Sequence, residues 1–116
     1  MKICFPVQKD DGMNSALYDQ FGSAPMFIIV DVETKSLTAI KNQDQNDSQG
    51  AYNPMRALDN QKIDVIIVSG IGSGPFTVLN RIGIRVYRSQ ADTIQENVVK
   101  FKNQELSVLT PEKCCG

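Results

Sequence analysis

The sequence predicts one mixed α/β domain, with a sheet of about five strands and about three helices. Three observations carry that prediction. Val65-Ile66-Ile67-Val68 is an unbroken apolar, β-branched run, as expected of a strand covered on both faces in a parallel sheet. Gly70, Gly72 and Gly74 then open a loop, and Pro75 suits the first turn of a helix, where an N–H has no partner to lose. Along the whole chain the apolar pattern runs β-β-β-α-β-α-β-α. Its first three strands predict an antiparallel meander, and its later β-α-β crossover should be right-handed.

Size and composition agree with this class. The 116 residues fall in the single-domain range, and the 41% hydrophobic content is enough for one core. Twelve basic and thirteen acidic residues leave a net charge of -1, so no overall field favours nucleic acid or an anionic membrane. No apolar run approaches the roughly 20 residues of a membrane span. Met1-Lys2-Ile3-Cys4-Phe5-Pro6-Val7 superficially resembles a signal peptide, but Pro6 and the polar Gln8-Lys9-Asp10-Asp11 make it a first strand. Three cysteines without spaced pairs (Cys4, Cys114, Cys115) are no disulfide framework, and a cytoplasmic location is expected. Histidine is absent altogether, which removes His-based acid–base catalysis, Ser-His and Cys-His nucleophile pairs, and imidazole zinc sites.

Taken in order, residues 2–7 are a buried strand and residues 8–20 a polar loop with turn residues Gly12, Asn14 and Ser15. Phe21-Gly22-Ser23-Ala24-Pro25 is a tight lead into a second, central strand over residues 26–32. Residues 33–36 turn the chain, and residues 37–41 fit an outer strand with one wet face, although Ile40 breaks the alternation. Residues 42–49 contain no apolar side chain and predict a mobile loop, because nothing there offsets the entropy of ordering. Asn53-Pro54 reads as N-cap and first residue of a helix with Met55, Ala57 and Leu58 inward, ending near Asn60-Gln61.

Beyond the strand at residues 65–68, a helix from Pro75 should bury Phe76, Leu79 and Ile82, with Gly83 as its stop. Residues 84–87 form a short strand. Asp92-Thr93-Ile94-Gln95 has the form of a capping box, and Ile94, Val98 and Phe101 make one helical face. Residues 105–109 predict a last short strand. The domain is expected over residues 1–110, with a flexible tail over 111–116 that carries Cys114 and Cys115.

Two stretches together resemble a known family. One is Lys2-Ile3 through Pro6-Val7 with residues 21–33; the other is Val65-Ile66-Ile67-Val68-Ser69-Gly70-Ile71-Gly72, Phe76, Leu79 and Gly83-Ile84-Arg85-Val86-Tyr87. In register they resemble the dinitrogenase iron–molybdenum cofactor biosynthesis family, over residues 1–108. The resemblance implies a ribonuclease H-like three-layer fold without nuclease function. It also implies a small, non-catalytic protein that carries or inserts an iron–sulfur or molybdenum–sulfur cofactor or its precursor, with a client or donor protein as partner. The family often has histidine directly before the Phe-Gly pair. Gln20 stands there in this chain, and its amide oxygen is a poor ligand for a soft metal. Phe21 and Gly22 carry over as site-shaping residues; Gln20 does not carry over as a ligand.

The residues themselves leave several readings open. Ser69, Gly70, Ile71, Gly72, Ser73 and Gly74 could hold an oxyanion, phosphate or sulfide-rich cluster on N–H and hydroxyl groups, or the glycines could merely supply positive φ in a tight turn. A dinucleotide site fits less well, since no acidic residue ends the next strand. Phe21, Gly22 and Ser23 could line the same edge, or Phe21 could be a core plug beside a turn glycine. Cys114 and Cys115 are the one adjacent pair of soft donors, able to bind a thiophilic metal or to remain free thiols on a tail. Cys4 reads as core. Asp10, Asp11, Asp44 and Asp47 read as solvated, and Asp31 and Glu33 lie at a strand end. Ile3, Phe5, Ile28 and Val30 are apolar on the central strands, where a nuclease of this fold would need carboxylates. Besides the carrier, a small-anion or nucleotide-binding regulatory module and a protein–protein adaptor remain as alternatives.

Overall fold

The first strand, β1 (Lys2–Val7), lies at the middle of the sheet, buried from Ile3 to Val7. It pairs antiparallel with β2 (Met26–Asp31) on one side and parallel with β4 (Val65–Val68) on the other. β3 (Ser36–Lys41) extends β2 antiparallel and β5 (Arg85–Arg88) extends β4 in parallel, giving a five-stranded sheet in the order β3-β2-β1-β4-β5. The structure, a computed structural model, describes residues 1–42, 58 and 61–110. The expected antiparallel meander is present, and β4 and β5 are joined by a helix as a parallel pair should be.

Side-chain alternation divides the core in two. Cys4, Phe27, Ile29, Ile66, Val68 and Val86 face one side, against Phe76 and Leu79 of α1 (Ser73–Arg81). Ile3, Phe5, Ile28, Val30, Val65 and Ile67 face the other, against Ile94 and Val98 of α2 (Ile94–Lys102). The apolar run at residues 65–68 is buried throughout because helices cover both faces of β4. At nine residues α1 is too short to persist alone. Burial of Phe76 and Leu79, at roughly 1.5–3 kcal/mol each, holds it to the sheet and so fixes where its first turn lies.

Several expectations need correction. The helix expected to begin at Pro75 begins two residues earlier, with Gly72 as N-cap, so Gly74 belongs to the helix and not to the loop. Ile82 is 48% exposed. Successive three-residue steps each lag the helical repeat, leaving Ile82 roughly 120° away from Phe76 around the axis. Gly83 does end the helix, with φ at 90°. The capping box is shifted by one residue: Thr93 is the N-cap of α2 and its Oγ1 accepts the Glu96 N–H at 3.3 Å. Residues 105–109 make no strand, only an isolated antiparallel bridge between Val108 and Tyr87 beside β5.

β3 does not have one wet face; it is wet on both. Leu37, Thr38 and Ala39 are exposed and only Ile40 is half-buried, because β3 is the sheet edge and α2 does not reach over it. The break in alternation at Ile40 has a simple origin, since Ile40 packs on the Cys4 side while Leu37 lies opposite Val30 on the other. Asn42, expected in a mobile loop, is buried and bonded. The remainder of that loop, most of the helix expected from Asn53-Pro54, and the tail with Cys114 and Cys115 lie outside the described residues.

Candidate functional site

The three parallel strands β1, β4 and β5 end on one edge of the sheet, and antiparallel β2 begins there. β1 and β4 are neighbours, yet the chain leaves them toward opposite faces. After β1 it runs past a 3-10 turn (Gly12–Asn14) to meet α2, where Ala16 bridges Thr93. After β4 it enters α1 on the other face. Where neighbouring parallel strands diverge in this way, a crevice opens at their carboxyl ends, the usual binding position of open α/β sheets.

Residues 18–21 cross that crevice. The Tyr18 N–H donates to the Pro6 carbonyl at 2.8 Å, and the Phe21 N–H donates to the Gly70 carbonyl at 2.9 Å. The two predicted segments are therefore joined directly. Gly70 is required by this approach rather than by backbone angle. A Cβ on it would lie 2.8 Å from both the Asp19 carbonyl oxygen and Gln20 Nε2. Positive φ, the alternative role for these glycines, occurs at Gly12 and Gly83 but not at Gly70, Gly72 or Gly74. Gln20 thus sits with its amide over Gly70, a position that no pattern in the sequence announces.

The other predicted residues divide by direction. Phe21 is fully buried, its ring 5.1 Å from that of Phe27, so it anchors the crossing from beneath. Ile71 is also turned into the core at 5% exposure, and only its backbone can serve a site. Gly22 is half-buried, while Ser23, Ser69, Gly72, Ser73 and Gly74 are exposed. The segment at residues 21–25 is held by Asn42, which the sequence marks only as the start of a polar loop. Its Nδ2 donates to the Gly22 and Ala24 carbonyls at 3.2 and 2.9 Å, and its N–H to the Pro25 carbonyl at 3.2 Å. An amide that follows a strand and precedes a polar run gives no sign of this in sequence.

At the start of α1 no side chain caps the first turn. Pro75 has no N–H and the Phe76 N–H is used on the Gly72 carbonyl, which leaves the N–H groups of Ser73 and Gly74 without helical partners. With the Ser69 and Ser73 hydroxyls, these make an edge of hydrogen-bond donors at a helix N-terminus, suited to negative charge. Among the described residues, no three His, Cys, Asp or Glu side chains cluster as a metal site. Cys4 is fully buried, and burial pushes its thiol far above the usual range, so it stays protonated within the core. No described helix is long and apolar enough to cross a membrane.

The family described as dinitrogenase iron–molybdenum cofactor matches residues 1–104. An uncharacterised protein of Methanocaldococcus jannaschii is 30% identical over 110 residues, covering 91% of this chain and 89% of its own. Among solved structures, a candidate NifB protein of Thermotoga superposes with a TM-score of 0.78 at 27% identity, covering 94% of this chain and 93% of its own. The apo form of the orange protein of Desulfovibrio gigas reaches a TM-score of 0.82 at 23% identity, over 94% and 92% of the two chains, and shows the common fold. A family match over residues 1–104, which takes in the crossing at residues 18–21 and the loop at Gly70, establishes the relationship: the chain belongs to the dinitrogenase iron–molybdenum cofactor family.

Proposed function

We propose that the protein is a non-catalytic carrier of an iron–sulfur or molybdenum–sulfur cofactor or its precursor, which it receives from or delivers to another protein. The observation that carries this reading is the direct bond between Phe21 and Gly70, which unites both family segments at the crevice between β1 and β4. The cargo would rest over Gly22, Ser23 and the turn from Ser69 to Ser73. On this reading the sheet is the ribonuclease H-like one, and the protein works in the cytoplasm, apart from nucleic acid and membrane.

The donors at that edge decide how a cargo could be held. They are amide N–H groups and hydroxyls, which bind an anion by hydrogen bonds and do not ligate a soft metal. An anionic thiometallate fits them directly. An iron–sulfur cluster would need thiolates as well, and Cys114 and Cys115 are the chain's two candidates. Oxyanions would satisfy the same donors, which supports a second reading as a small-anion module.

Anaerobic titration with tetrathiomolybdate, followed by visible absorbance and amide NMR, tests the proposal. Saturable colour with shifts at Gly22, Gly70, Gly72 and Gly74 is expected, and the Cys114→Ser/Cys115→Ser variant reports whether thiolates take part. Absence of colour with both thiomolybdate and an iron–sulfur donor would sink the carrier reading. Shifts at the same amides with inorganic phosphate alone would favour the anion module.

A further inference from the structure

A second surface lies away from the crevice, on the α2 face and toward the opposite end of the sheet. α2 turns the stripe Gln95, Val98, Val99 and Lys102 toward a groove of about 370 Å³, whose other wall includes Met13, Val30, Val32 and Lys35. The spacing of that stripe is one face of a helix. Pairing in register carries the same sheet face outward from Val30 to Leu37 and from Ile28 to Ala39 on β3. Leu37 is 39% and Val99 46% exposed, so the groove is flanked on both walls by large apolar side chains in contact with water. An apolar sheet face of this kind is ordinarily covered by an element packed beside the existing helix.

The charged residues that line the groove have one sign. Lys35 and Lys102 line it, Lys41 lies two pairs beyond Leu37 on the same face of β3, and none of the three makes an ion pair among the described residues. Carboxylates on the flanking turns are engaged elsewhere. Asp11 is bridged by Lys9, Asp10 accepts the Gly12 N–H, and Glu33 pairs with the N-terminal ammonium. A second copy of this chain would set these lysines against one another and is disfavoured.

We infer that the groove between α2 and the β2–β3 turn docks an amphipathic helix of another protein, one with a narrow apolar stripe flanked by Asp or Glu. The apolar stripe would lie on Val32, Leu37 and Val99, and the acidic flanks would meet Lys35 and Lys102. This surface is separate from the proposed cargo crevice, so a partner could be engaged while that crevice stays open. The inference does not depend on what the crevice carries.

The test uses the intact, isotope-labelled protein and a synthetic helical peptide with a leucine stripe flanked by glutamates. A second peptide carries lysine at every glutamate position. We expect amide shifts at Met13, Val32, Leu37, Val99 and Lys102 with the acidic peptide, little response to the basic one, and weakening by salt. The Lys35→Glu/Lys102→Glu variant alters only exposed positions and should reduce affinity for the acidic peptide about tenfold while gaining the basic one. Equal binding of both peptides, or no shift at millimolar peptide, would overturn the inference. So would displacement of the peptide by decanoate with the same pattern of shifts, because the groove would then be a site for small amphiphilic carboxylates.

Discussion

Asn97 donates twice to the carbonyl of Thr93, from its backbone N–H at 3.1 Å and from its side-chain Nδ2 at 2.8 Å. Nδ2 also donates to the Ala91 carbonyl at 3.0 Å, and Oδ1 accepts the Gln90 N–H at 3.2 Å. One fully buried amide thereby ties the turn that leads out of β5 to the first turn of α2. Because Thr93 also bridges Ala16, the same side chain helps to set the loop that follows β1.

Replacing Asn97 by Ala would remove the acceptor of the half-buried Gln90 N–H and one of the two donors to the Ala91 carbonyl, which keeps the Ser89 hydroxyl. A loss of about 1–3 kcal/mol is expected, the cost of one backbone group left unpaired together with the lost amide bonds. Urea unfolding measures it. A loss under ~0.5 kcal/mol would show that the turn does not depend on this amide.

Gly70 and Gly74 should respond to alanine in opposite directions. At Gly70 the new Cβ meets the backbone oxygen of Asp19, which cannot move without displacing the crossing chain. A cost of about 1–3 kcal/mol is expected, with an altered Phe21 amide shift as the Gly70 bond distorts. At Gly74, inside α1, a Cβ meets nothing within 4 Å, so alanine should stabilise by about 0.5–1 kcal/mol. Paired denaturation curves of the two variants check both signs.

The turn between β2 and β3 should loosen in acid. Asp31 Oδ1 accepts the backbone N–H groups of Thr34 and Glu33, and these bonds hold its carboxyl below the usual carboxylate range, with Thr34 the largest contributor. A depressed carboxyl stabilises the fold above its unfolded pKa, and that contribution disappears as pH falls through the lower folded value. Because Asp31 is only half-buried and lies at a strand end, the effect should be local. Protection of the Thr34 and Lys35 amides, corrected for intrinsic exchange, should decline as pH falls below about 4. Asp31→Asn should abolish that pH dependence while retaining an acceptor; a wild-type profile flat to acid would refute the link.

How far these features could be read in the sequence depended on the range of the interactions involved. Strands β1, β2 and β4 were legible because β-branched runs report burial directly, and Gly83 was legible because only glycine favours its φ. The N-cap at Thr93 was misplaced by one residue because Asp92-x-x-Gln95 and Thr93-x-x-Glu96 satisfy the same pattern. Gly70 could be marked as special, but its reason lies far earlier in the chain, in the Asp19 carbonyl. Asn42 fell within the stretch expected as a mobile loop and Asn97 drew no reading at all, since a polar side chain carries no periodic signal of the carbonyls it will meet. Sequence thus marked the backbone of the crevice and missed the amides that brace it.

Gln20 offers a direct test of whether the crevice faces the proposed cargo. Its side-chain amide lies over Gly70, at the position where the family often has histidine, and an imidazole there would point a borderline ligand at the same edge. Gln20→His should bind iron supplied as ferrous ion with sulfide about tenfold more tightly than the natural protein under anaerobic conditions, the gain expected of one added ligand. That gain should vanish as pH falls through the imidazole range near 6.5, because only the neutral ring coordinates. The natural chain has no histidine and should show no such step. Unchanged affinity together with a flat pH profile in the variant would mean that position 20 looks away from the bound species, and that any cargo is held by the helix N-terminus and the serines alone.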